Sequence, residues 1–253
     1  MTFIIPHYNL VRIYYSKFSW SFNMDIFQHL SSDFTAILIT LKLAIVTCFF
    51  LALIGTPLAY FLAFKSKKTK PFIETIVTLP LVLPPTVIGF YLIIIFSPET
   101  ALGKIFIILT GEQLIFSFYG LVLASIIYSL PFWVQPLQAS FEKIGRDTIR
   151  TSYSLGADPL DTFFNVIIPL CKKGFFTSFI ISFAHTLGEF GIVLMVGGGI
   201  HGKTKVIAIS IYDHVEQLSF GKAHILAGGM LILSFIILLT LFYFNKRTVV
   251  RVK

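Results

Sequence analysis

Of 253 residues, 56% are hydrophobic and only 13% are charged, where a soluble domain carries about 25% charged residues. That excludes an ordinary water-soluble domain and points to a chain mostly dissolved in lipid. The net charge is +8, but the basic residues cluster at the ends of apolar runs and form no aromatic-interleaved stripe, which argues against nucleic-acid binding.

Residues 1–33 are aromatic and polar, with Arg12, Lys17, Trp20 and Asp25, and have no smooth apolar core of the signal-peptide kind. They read as an N-terminal extension. Met24 opens a plausible membrane-protein start, so residues 1–23 are expected to lie upstream of the true beginning. A spanning helix needs about 20 mostly apolar residues. Five stretches qualify: 36–64, 72–96, 117–141, 174–197 and 223–244. The expected fold is therefore an all-α polytopic membrane domain over 34–245, with a basic tail at 246–253.

Lys and Arg in the connecting segments set orientation. Segments 65–71 and 142–173 and the C-terminal tail hold thirteen of the 20 basic residues. That side is expected to be cytoplasmic, which places the N-terminus outside and the C-terminus inside. Cys48 and Cys171 both fall in or beside apolar runs and read as free thiols.

The second span contains Pro80, Pro84 and Pro85, followed by Thr86 and Gly89. Adjacent prolines remove two amide donors and clash with the preceding turn, and in lipid the freed carbonyls must find partners inside the protein or in a water-filled cavity. A packed kink and a pathway-lining break are both compatible with this. Pro57 and Pro131 break the first and third spans more mildly.

The 142–173 segment divides at Gly156. Asp158-Pro159 is a helix start, with Asp as cap and Pro at the first helical position. The next turns are expected to put Leu160, Phe163, Phe164 and Ile167 on one outward stripe, with Leu155 at the turn and Pro169 marking re-entry to the membrane. Such a stripe either lies on lipid or fills a partner's groove.

In the fourth span, His185 and Glu189 are four apart, and on one helix they would share a face. Gly188 and Gly191 beside them would allow close helix approach. An intramembrane carboxylate is costly and is a functional hypothesis by default. A metal pair, a proton relay, a hydrogen-bonded anchor and contact with a solute all stay open; a structural or gating role is expected, because Glu189 would repel an anion. No third metal ligand accompanies the pair, so no metal site is expected. No nucleophile–base–orienter set appears either, so no catalytic residues are assigned.

Gly197 to Thr204 matches the phosphate-loop pattern G-x-x-x-x-G-K-[ST] letter for letter. That pattern binds phosphate between a strand and a helix N-terminus. Here a membrane span precedes it and the next span follows too soon for a nucleotide-binding sheet. The glycines are expected to turn the chain at the membrane surface.

Gly156, the nine residues after it, and Val166-Ile167-Ile168-Pro169 resemble the coupling loop of ABC importer permeases. That loop reads E-A-A, three residues, Gly, nine residues, I-x-L-P; the triplet positions here hold Arg150, Thr151 and Ser152. Leu79 to Gly89 and Ala184 to Gly191 are similar to segments of molybdate permeases, which are close to sulfate and thiosulfate permeases. The resemblance runs from about Met24 to the C-terminus. It implies a MetI-like fold, a homodimer in the bacterial inner membrane, a separate cytoplasmic ATPase that binds the ATP and magnesium, and an extracytoplasmic molybdate-binding protein. Leu155, Gly156, Asp158, Pro159, Leu160, Phe163, Phe164 and Pro169 would meet the ATPase. Pro84, Pro85, Thr86, Gly89, His185, Gly188 and Glu189 would line or gate the path.

Overall fold

A computed structural model describes residues 25–65 and 69–245, with side chains for 33–64 and 69–244. The expectations on residues 1–23 and on the basic tail fall outside these. Within the described residues every regular element is helical. Four helices are long and apolar enough to cross a membrane, and one bent pair makes a fifth span if it is taken together.

Helix α1 covers Asp25–Tyr60 and continues as a π-helix over Phe61–Lys65. Lys70–Val82 (α2) and Pro85–Phe96 (α3) meet at an angle of 111°. A residue before proline is pushed out of the α region, and this happens twice in succession. Leu83 stands at ψ 138° and Pro84 at ψ 139°. Two consecutive extended residues turn the chain away from its first axis. The expected single span over 72–96 is therefore two helices.

A short helix, Ala101–Thr110 (α4), precedes the longest one, Phe118–Ser154 (α5), which kinks at Gly145. The stretch before the kink, 118–144, measures about 40 Å, more than the ~30 Å of a bilayer core. The return element is Pro159–Asp161 (α6), a π-helix over Thr162–Ile167, and Ile168–Leu187 (α7). The segment expected as a loop over 142–173 is instead mostly helical, the ends of two helical arms joined by a turn at 155–158. Pro169 is no breakpoint: it sits in the first turn of α7. Its missing N–H leaves no regular bond to Asn165, and the turn just ahead is widened to π geometry, with Ile168 N bonded to Phe163 O.

After α7 come Gly191–Gly197 (α8), Ile207–Glu216 (α9) and Phe220–Asn245 (α10). The expected fourth span over 174–197 is broken at 188–190.

The core lies where α1, α5 and α7 pack together, filled by Leu43, Leu51, Leu121, Leu137, Phe141 and Ile167. Apolar burial drives little association in lipid, so close backbone approach takes its place. A Cβ on Gly174 would sit 2.4 Å from Ser140 Cβ, and one on Gly55 would sit 2.7 Å from the Trp133 ring. The Trp133 indole N–H donates to Thr56 Oγ1 at 3.2 Å. Cys48 and Cys171 are buried free thiols.

Candidate functional site

Two regions depart from regular helix in ways that bear on function. The first is the hairpin tip between α5 and α6. Gly156 stands at φ +90°, a conformation that glycine adopts without steric cost. Asp158 caps α6 by accepting from Asp161 N at 2.6 Å, and Pro159 follows at the first position. Ser152 and Thr162 share a buried hydroxyl bond of 2.9 Å that ties the two arms together.

The expected outward stripe divides here. Leu155, Leu160 and Phe164 are 84%, 69% and 59% exposed. Phe163 turns inward instead, its ring edge-on to Tyr60 at 5.6 Å, and Ile167 and Thr162 are fully buried. Phe163 and Phe164 are neighbours about 100° apart round a helix, so the arm's buried edge can pass between them, and the wider π-helix over Thr162–Ile167 carries Ile167 to Phe163's side, away from Phe164. Pro169 is exposed above it.

The second region is a polar knot at the break between α7 and α8. Helix α7 ends at Leu187, so Glu189 lies beyond it and does not share a helix face with His185. The two still approach to 3.9 Å. Glu189 is buried, and its carboxylate accepts from Ser125 Oγ at 2.5 Å and from Ser129 Oγ at 3.4 Å. Ser129 also meets His185 Nδ1 at 2.9 Å and Thr186 Oγ1 at 3.0 Å. The His185 ring stacks on Phe132 at 3.9 Å. Ser125, Ser129 and Phe132, all on α5, escaped the sequence reading. The serine pair at i, i+4 in an apolar run was the available signal.

The knot lies beside the other break. A Cβ on Gly191 would stand 3.0 Å from Pro85, and one on Gly89 would stand 3.0 Å from Met195. Helix α3 therefore lies against α8 at near-backbone distance. Gly188 makes no such approach: an added Cβ there would find only its own helix's carbonyls, at 3.7 Å. Pro84 and Thr86 are exposed at the bend.

The glycine turn at 197–204 has its own internal logic. Gly198, Gly199 and Gly202 all have positive φ. Thr204 is fully buried, accepting from Ile200 N at 2.9 Å and donating to Gly197 O at 2.6 Å. A helix precedes the turn and no strand adjoins it, so the phosphate-loop letters here close a tight surface turn. Among the described residues no three His, Cys, Asp or Glu side chains gather as metal ligands would.

The model of the family described as the binding-protein-dependent transport system inner membrane component matches residues 55–249. The chain belongs to that family. It is 49% identical to the molybdenum transport system permease protein ModB of Azotobacter vinelandii over 210 residues, 83% of this chain and 93% of that protein. Two solved structures share its fold. One is a bacterial ABC transporter involved in the import of the acidic polysaccharide alginate, with TM-score 0.72 at 16% identity over 97% of this chain and 91% of that one. The other is the MetNI methionine ABC transporter in an inward-facing conformation, with TM-score 0.67 at 16% identity over 87% of this chain and 97% of that one. The protein is a multi-pass membrane permease subunit with the MetI-like fold expected from its sequence.

Proposed function

We propose that this chain is the transmembrane subunit of an ATP-driven molybdate importer in the bacterial inner membrane. It works as a homodimer, with its N-terminus outside and its C-terminus in the cytoplasm. A separate ATPase docks on the 155–164 tip and binds all the nucleotide and magnesium. An extracytoplasmic molybdate-binding protein delivers the oxyanion. The observation that carries the ATPase part is the tip itself: Leu155, Leu160 and Phe164 are exposed at the turn between two long helical arms, on the side with most of the basic residues. Apolar side chains on water call for a partner's pocket. The 49% identity to a molybdenum permease supports the cargo.

The motion implied is alternating access. Closure of the ATPases carries the tips with them, and the paired breaks at Pro84-Pro85 and 188–190 yield, with Gly89 and Gly191 as their contact points. Glu189 and His185 hold the second break to α5 and need not touch the anion.

Reconstitution with the ATPase and binding protein in proteoliposomes tests this. ATP should drive molybdate uptake, and excess sulfate should compete poorly. Gly156→Val should insert and assemble yet lose about tenfold or more of uptake, because the left-handed conformation costs a β-branched residue about 1–3 kcal/mol. Uptake at the wild-type rate by that variant removes the tip from coupling.

A further inference from the structure

Three helices lose regular α geometry at one level of the molecule. Helix α1 widens into its π-helix at Phe61–Lys65, α5 kinks at Gly145, and the return arm is π-helical over Thr162–Ile167. An aromatic cluster joins them: Tyr60 packs on Phe163 at 5.6 Å, and Phe141 lies 6.0 Å from Tyr60 and 6.2 Å from Phe64. Beyond this level the tip is closed on itself by the Ser152–Thr162 bond and by Ala157 N donating to Ser152 O at 3.2 Å.

Gly145 stands at φ 74° and ψ 161°. That region of backbone space is essentially reserved for glycine. No atom lies within 4 Å of where its Cβ would be, so packing does not demand glycine here; the bend does. The residues around it are tethered to different neighbours. On the membrane side, Glu142 accepts from Lys70 Nζ of α2 at 2.6 Å. On the tip side, Arg146 Nη2 donates to the carbonyl of Phe64 at 2.7 Å. A cavity of about 270 Å³ lies between α2 and α5 just before the joint, bordered by Glu74, Val77, Gln138 and Glu142. Gln138 Nε2 donates to Glu74 Oε1 at 2.6 Å beside it, a second tie between α2 and the membrane half of α5.

We propose that Gly145 is the joint through which movement of the tip reaches the spans, and that Arg146 sets its resting angle. Both are positioning residues for coupling and touch neither nucleotide nor cargo. The proposal rests on the transporter reading above. A joint should be a backbone position with open space, flanked by segments that are each rigid and separately anchored. Gly145 has the open space, and the residues on its two sides carry different polar tethers, Glu142 to Lys70 of α2 and Arg146 to the Phe64 carbonyl. An alanine there pulls α5 toward a straight helix and re-aims the tip, while Arg146→Ala removes the polar tie to the end of α1 and leaves the Tyr60–Phe163 ring contact.

The test uses the reconstituted complex with its ATPase and binding protein, comparing wild type, Gly145→Ala, Arg146→Ala and Arg146→Lys. The readout is molybdate imported per ATP hydrolysed. The ratio should fall about tenfold in Gly145→Ala and about threefold in Arg146→Ala, with assembly and ATP hydrolysis retained. Arg146→Lys should recover most of the ratio, because it keeps a cationic donor near the Phe64 carbonyl. An unchanged ratio in Gly145→Ala overturns the joint. So does a loss of uptake matched by equal losses of assembly and hydrolysis in both alanine variants, which marks a purely structural role. A wild-type complex that hydrolyses ATP and imports no oxyanion overturns the transporter reading instead, and is told apart by failing before any substitution is made.

Discussion

The hairpin tip and the Ser–His–Glu knot invert the ordinary rule in opposite directions. The tip leaves Leu155, Leu160 and Phe164 bare on the surface of the chain; the knot buries Glu189, with its carboxylate on Ser125 and Ser129. Each arrangement is unfavourable without a partner. The knot finds its partners on α5 of the same chain, some sixty residues away in sequence. The tip finds none in this chain. Comparing the two separates a feature that keeps the fold together from one that reaches outside it.

Substitutions can break that comparison at either end. The largest effect is expected at the tip. Leu160→Asp with Phe164→Asp should weaken ATPase binding by about 2–4 kcal/mol, the range of interface hot spots, while thermal unfolding of the permease alone stays put. Binding measured in detergent against the free ATPase checks this; a fall in melting temperature at unchanged affinity would put both residues in the fold. At the knot, Glu189→Leu should cost about 2 kcal/mol of stability by leaving the buried Ser125 hydroxyl unpaired, and Glu189→Gln, which still accepts hydrogen bonds, well under half of that. If thermal denaturation shows the two variants equally damaged, charge matters more than the hydroxyl contacts. The smallest effect belongs to Asp158→Ala, which removes the cap of α6 and should cost about 1 kcal/mol, seen as faster amide exchange at Asp161 with the knot undisturbed.

Features made by neighbouring residues were legible in the sequence. Gly156, Asp158 and Pro159 act within one turn of chain, and the structure gives the left-handed glycine and the cap they imply. The double proline acts on the residues just before it, so a break at 83–85 could be anticipated, though not its angle. What stayed hidden depends on contacts distant in sequence or on helix pitch. Serines inside an apolar run look alike whether or not a carboxylate faces them, so the i, i+4 pair Ser125 and Ser129 marks a polar spot on α5 but does not name Glu189 as its partner. A π-turn leaves no pattern of its own, and with it went the placing of Ile167 on Phe163's side, away from Phe164. Gly145 sits among ordinary helix formers, and nothing in Glu142-Lys-Ile-Gly-Arg146 distinguishes a kink from a tolerated glycine.

Cys48 and Cys171 are both about 1% exposed, so aqueous thiol reagents should pass them by in the folded protein. The native chain then serves as its own blank for site-directed labelling. A single cysteine placed at Ser154 could carry a fluorophore that watches the tip dock, with no need to rebuild the core around two removed thiols.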